Sequence, residues 1–150
     1  MKLLIPPPIV AVLCALAMWG IAHFLSQTRL AFSFQTLVAC AFIVAGLAID
    51  LVSVGAFRKA KTTVTPLAPE KASSLVVTGL YRYTRNPMYV GMLFILIGVA
   101  VWLGSPVNVI VLIAFVGYIT VFQIMPEEAR LSEIFGADYE SYRTQVRRWL

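Results

Sequence analysis

The chain is short of charge. Of its 150 residues only 13% are Asp, Glu, Lys or Arg, against 60% hydrophobic. A soluble domain of this length seldom carries so few, and the mean hydropathy of +0.86 points the same way. Cysteine and histidine are scarce too, two and one respectively. Cys14 and Cys40 both fall inside apolar runs, with no second pair and no Cys/His spacing suited to zinc, haem or an iron–sulfur cluster. Both therefore read as buried packing residues, and no metal is expected. The absence of an internal repeat or a low-complexity tract excludes a repeat array. Length sets a last limit: the chain has room for four membrane spans and their connections, but not for a separate soluble enzyme domain as well.

What remains is a single membrane domain over 1–150, all-α, with spans expected near 6–25, 32–57, 88–103 and 107–125. Each approaches the roughly 20 residues needed to cross hydrocarbon, the third being the shortest. Gly104-Ser105-Pro106 leaves only a tight turn between the third and fourth, which makes them an antiparallel hairpin. The opening Met1-Lys2 and apolar run resemble a signal peptide. Pro6-Pro7-Pro8 interrupts it, however, and no small-x-small site precedes polar sequence, so a retained first span is expected. Gly46, Gly91, Gly98 and Gly117 are candidates for helix packing, within the chain or between chains.

Eleven of the twelve basic residues lie at the N-terminus, in the 58–87 connection or after the fourth span; Arg29 alone lies opposite. The formal charge of +5 thus reflects a cytoplasmic excess rather than a nucleic-acid partner, and both termini are expected in the cytoplasm. On that face sits GLYRYTRNPMYVG, residues 79–91. Lipid needs neither its arginines nor its Asn-Pro. After the fourth span comes PEEARLSEIFGADYESYRTQVRRWL. There Leu131, Ile134, Phe135, Tyr139, Tyr142, Val146 and Trp149 recur at three- and four-residue steps. They predict an amphipathic surface helix over 126–148, weakened at Gly136.

Taken singly, these features have ordinary explanations. Tyr81, Tyr83 and Tyr89 fit interfacial aromatics, Arg82 and Arg85 fit positive-inside anchors, and Pro126-Glu127-Glu128 fits a helix start. Together and in this order they resemble the isoprenylcysteine carboxyl methyltransferases and the wider group of membrane methyltransferases that includes the phospholipid enzymes. The matching residues are Arg85, Pro87, Tyr89, Glu127, Glu128, Leu131, Phe135, Gly136, Tyr139 and Tyr142. The resemblance covers roughly residues 60 to 148; the first two spans match only in hydrophobicity.

The resemblance implies S-adenosylmethionine as methyl donor and an amphiphilic acceptor resident in the membrane, either lipidated and isoprenylcysteine-like or phospholipid-like. It puts cofactor contacts on Ser73, Ser74, Leu75, Val76, Tyr81, Asn86, Pro87, Met88, Tyr89 and Glu127. Among these, Glu127 and Tyr89 are the expected ligands. Arg85 would orient the acceptor or brace the loop, and Glu128 would partner a nearby arginine. Two positions depart from the pattern: Asn86 stands where the eukaryotic enzymes have His, and Gln123 where they have an Arg associated with the substrate carboxylate.

Asp50, alone in the second span, is the remaining candidate. It anchors the rival reading of a small four-span transporter with Asp50 as coupling acid; the alternative explanation is pairing or water near the cytoplasmic end. His23, at the outer end of the first span, reads as interfacial. A family member without catalysis is the third reading.

Overall fold

The structure, a computed structural model, describes residues 5–59 and 75–150. Among these residues it is all-helical, with a single isolated bridge between Thr84 and Arg147 and no strand. Helix α1 spans Pro7–Phe24, α2 Gln35–Lys59 and α3 Pro87–Leu103. Next, α4 (Val109–Ile119), a π turn (Thr120–Ile124) and α5 (Met125–Phe135) run on without a break, and α6 covers Ala137–Gln145. Three helical stretches are long and apolar enough to cross a membrane: Pro7–Phe24, Gln35–Lys59 and Pro106–Phe135. α3 is a shorter apolar helix. The protein is thus an all-α membrane protein, and its large exposed apolar side chains, such as Leu51 on α2 and Ile113 on α4, are those that lipid would cover.

Local sequence explains where these helices begin and end. Pro87 opens α3, its ring fixing a helical φ at a position that needs no amide donor. Asn86, before the proline, is held out of the helical region at φ −130° and ψ 53°. At the other end Gly104 adopts φ 66° and returns its N–H to Ala100 and Val101. Gln35 Nε2 donates to the Val101 carbonyl at 2.7 Å, so the end of α3 is satisfied by the start of α2.

The main seam joins α2 and α3 and depends on residues without bulk. A Cβ at Gly46 would lie 2.5 Å from the Gly91 carbonyl oxygen, and one at Gly98 would lie 2.8 Å from that of Ala39. Such close approach trades side chains for backbone contact, the usual way helices associate in lipid. Asp50 sits on this seam against Gly91, its Oδ1 buried and without a hydrogen-bond donor among the described residues. Two buried side chains of α1, Met18 and Ala22, join Leu96 of α3 with Phe115 and Ile119 of α4 in the core.

The structure differs from the expectations at several places. Cys40 is exposed on the outside of α2 and Cys14 is half-buried, because a span facing lipid has no need to hide a small apolar side chain. The tail expected as one helix over 126–148 is two: Gly136, at φ 50° and ψ −122°, breaks it, and the helical run ends at Gln145. Nor does Pro126 start a helix. The π turn before it already carries the chain in helical geometry, with the Met125 amide reaching back to the Thr120 carbonyl. Pro126 is tolerated there because the shifted register relieves the upstream carbonyl that its ring would otherwise crowd.

Gly46→Val or Gly98→Val should force α2 from α3 and cost about 1–3 kcal/mol or more. Gly20→Ala, where nothing lies within 4 Å, should be neutral or stabilising by up to about 1 kcal/mol through helix propensity. Unfolding midpoints of the purified variants in one detergent check the contrast.

Candidate functional site

At the end of the bundle where α3 begins and α5 emerges, a cleft of ≈ 160 Å³ opens. Three parts of the chain wall it. The first is the 79–89 segment, whose one-turn 3-10 helix Gly79–Arg82 presents Tyr81 and whose continuation supplies Arg85, Asn86, Met88 and Tyr89. The second is the single side chain of Glu127 on α5. The third is apolar: Pro6, Pro7 and Pro8 at the start of α1, Phe57 near the end of α2, and Met92 one turn into α3.

The two adjacent carboxylates have different surroundings. Glu128 is buried and takes both arginines: Arg85 Nη2 donates to Oε1 at 2.9 Å, while Arg148 donates from Nε to Oε1 at 3.0 Å and from Nη2 to Oε2 at 2.7 Å. Arg85 also donates to the Arg143 carbonyl at 3.1 Å. Glu127 is half-buried at the cleft wall and accepts one hydrogen bond, from the Tyr89 hydroxyl at 3.1 Å. Among the described residues Glu127 has no basic partner. A carboxylate left without a cation beside an apolar wall is electrostatically incomplete.

As consecutive residues of α5, Glu127 and Glu128 project about 100° apart, and the π turn upstream sets which way the pair faces. The turn's additional residue rotates everything after it by roughly 100° relative to a regular α-helix. Gln123 is thereby directed inward, where Nε2 donates to the Ile5 carbonyl at 2.7 Å and Oε1 is buried without a partner. One turn later Glu127 and Glu128 project into different environments.

Of the residues singled out from sequence, Tyr81, Arg85, Asn86, Met88, Tyr89 and Glu127 meet around one cleft. Pro87 is buried behind it as the first residue of α3. Val76 is buried elsewhere, and Leu75 lines a separate, more open groove with Val77 and Asp138 on α6. Ser73 and Ser74 lie outside the described residues. Asn86 lines the cleft, yet its side-chain amide is already donated to the Arg148 carbonyl at 2.9 Å. Six residues escape sequence reasoning: the three prolines, Phe57 and Met92 in the cleft wall, and Arg148 behind it. A triple proline ahead of an apolar run is a visible signal for a rigid wall. Nothing in the sequence ties Arg148 to Glu128 twenty residues before it.

Tyrosines frame the site. Phe57 packs edge-on against Tyr81 at a centroid distance of 5.4 Å, and the Tyr142 hydroxyl donates to the Tyr81 carbonyl at 2.6 Å. Burial raises the Tyr81 hydroxyl well above the usual phenol range, and the Glu127 charge raises it further. Burial likewise raises Tyr142, with Tyr139 adding and Arg85 opposing. Tyr139 is pushed up to about 12 by burial first and the Glu128 charge second, with Arg85 opposing. All three therefore stay neutral hydroxyls at physiological pH.

A helical membrane protein with a carboxylate-bearing cleft at one end of its bundle is the class that these features define. Residues 34–138 match the family model described as phospholipid methyltransferase, and the chain belongs to that family. It is 26% identical over 111 residues to the protein-S-isoprenylcysteine O-methyltransferase of Saccharomyces cerevisiae, which is 74% of this chain and 46% of the yeast protein. To protein-S-isoprenylcysteine O-methyltransferase A of Arabidopsis thaliana it is 34% identical over 77 residues, 51% of this chain and 39% of the plant protein. A further relative, an uncharacterized protein of Haemophilus influenzae, is 41% identical over 63 residues, 42% of this chain and 100% of that protein. The chain spans less than half the length of either methyltransferase named here.

The Tyr139 shift carries a stability consequence. Its folded value lies above the roughly 10 of an unfolded tyrosine, so its contribution is complete below pH ~10 and lost as pH rises toward 12. Thermal unfolding followed from pH 8 upward should show a decline above about pH 10, and Tyr139→Phe should flatten part of it.

Proposed function

We propose that this protein transfers a methyl group from S-adenosylmethionine to an amphiphilic acceptor held in the bilayer. The observation that supports the donor best is Glu127, a carboxylate facing a cleft with no basic partner among the described residues. S-adenosylmethionine carries positive charge at its sulfonium and its ammonium, and it needs an anionic contact together with apolar and aromatic walls. Phe57, Tyr81, Met88 and Met92 supply those walls. The donor set therefore fits the cofactor. When bound, the cofactor supplies a methyl already activated by the sulfonium.

The chain's own work is then positioning. Glu127 balances the ligand's positive charge, and the Tyr89 hydroxyl holds the carboxylate in one orientation. Arg85, fixed on Glu128 and the Arg143 carbonyl, braces the segment that carries Tyr81 and leads into α3 with Tyr89. Holding donor and acceptor in line is a large effect, equivalent to effective molarities of about 10⁵ M or more in well-oriented systems.

The acceptor would enter from lipid along the apolar wall formed by the prolines and Phe57. Its class follows from the two groups named among the relatives, phospholipids and isoprenylcysteine. Among the described residues the cation that lines the cleft, Arg85, is engaged on Glu128, as is Arg148 behind it. Gln123 is neutral and tied to Ile5. These contacts favour an acceptor without a free carboxylate, hence a phospholipid-like headgroup over an isoprenylcysteine carboxylate. We read the cleft as facing the cytoplasm, a reading that the distribution of basic residues supports.

Calorimetric titration of the detergent-purified protein with S-adenosylmethionine tests the donor. Saturable binding is expected, weakened at least about tenfold by Glu127→Gln, because the ligand's charge loses its counter-charge. The helical circular dichroism and the unfolding midpoint should stay unchanged. Equal affinity in the folded variant would remove Glu127 from the site.

A further inference from the structure

The residues that follow α6 leave the helix and come back to the cleft. Val146 is extended at φ −122° and ψ 135°. The next residues then run beside the 84–86 segment, joined by the Thr84–Arg147 bridge. The Arg85 amide donates to the Arg147 carbonyl at 2.9 Å. The Arg148 carbonyl accepts from the Asn86 side-chain amide at 2.9 Å and from the Thr84 hydroxyl at 3.3 Å. The strap ends with Trp149, whose Nε1 donates to Thr120 Oγ1 at 3.1 Å, at the start of the π turn. The same few residues thus grip both polar walls of the cleft: the segment bearing Tyr81 and Tyr89, and the helix bearing Glu127.

We propose that this strap, residues 146–149, positions the cleft walls for the ligand, and that Arg148 is its positioning residue. This rests on the cofactor reading above. Arg148 does not line the cleft. It acts through Glu128, taking both carboxylate oxygens with the Nε and Nη2 of one guanidinium edge while Arg85 shares Oε1. Glu128 is adjacent to Glu127 in α5, and Arg85 is adjacent to Asn86 at the foot of α3. Fixing that ion cluster therefore fixes the spacing between the Glu127 and Tyr89 walls. Only the Val146 amide keeps a helical hydrogen bond, to the Tyr142 carbonyl at 3.1 Å, so the order of residues 147–149 comes from these contacts. Seating of the strap and filling of the cleft are consequently coupled, and the coupling is reciprocal: whatever factor strap seating adds to ligand affinity, the ligand adds to strap seating.

Hydrogen exchange with S-adenosylhomocysteine as probe, together with calorimetry on the full chain, tests this. Ligand should slow exchange of the amides at 84–86 and 146–149 in the parent protein. Arg148→Gln should weaken binding about tenfold and speed exchange at Arg85 before any ligand is added. Arg148→Lys, which keeps the charge but not the two-pronged geometry, should fall between. Thr84→Val alters strap contacts without altering charge, and it decides the matter should Arg148→Gln fail to fold; binding several-fold weaker is expected. Unchanged affinity in Thr84→Val and in a folded Arg148 variant overturns the proposal. So does exchange over 146–149 that ignores a ligand which binds. A parent protein that binds neither S-adenosylmethionine nor S-adenosylhomocysteine overturns instead the cofactor reading beneath it.

Discussion

Glu128 is a buried carboxylate, and the arrangement around the cleft follows from the need to satisfy it. Two arginines meet it from different parts of the chain, one preceding α3 and one following α6. A buried pair such as Arg85–Glu128 contributes little net stability, because desolvation offsets the Coulombic gain. Such a cluster acts as a geometric constraint more than as a source of cohesion. It fixes which ends of the chain meet and leaves the neighbouring carboxylate to face the cleft.

Cohesion comes largely from elsewhere, and the two tasks overlap at Tyr89 and Met92, which belong to the core and line the cleft. The α2–α3 seam holds by close backbone approach at Gly46, Gly91 and Gly98, and the interior of the bundle by Met18, Leu96, Phe115 and Ile119. None of these lines the cleft. The polar end is thus free to carry an unbalanced charge, whose cost is borne by a bundle stabilised largely independently of it.

The apolar helices were legible in the sequence because hydropathy over some twenty residues is a property of composition and needs no knowledge of contacts. Pro87–Leu103, expected as a span, is a shorter apolar helix. The segments 79–89 and 126–128 were legible as chemistry because arginine, tyrosine and paired acids have no task in hydrocarbon. Other features depend on pairings between distant residues, and no local pattern encodes them. Arg148 reads as one more basic residue in a tail, and Asn86 as a free amide, until each is seen spent on the other's neighbourhood. The π turn is equally silent: Thr120–Ile124 has the composition of any apolar helix, and only the packing of Gln123 and Ile124 exposes the additional residue. Gly136 was visible as a weak point, but weakness does not distinguish a bend from a break.

The three prolines on the apolar wall have a consequence beyond rigidity. Pro6, Pro7 and Pro8 contribute no amide hydrogen, so that side of the cleft offers no backbone donor over three successive residues. The opposite side has Glu127, the Tyr89 hydroxyl and the arginine-bearing loop. A molecule in between therefore meets an environment graded in polarity, and the two ends of an amphiphile are not interchangeable within it. Orientation of the guest is thereby encoded by what one wall cannot offer as much as by what the other supplies.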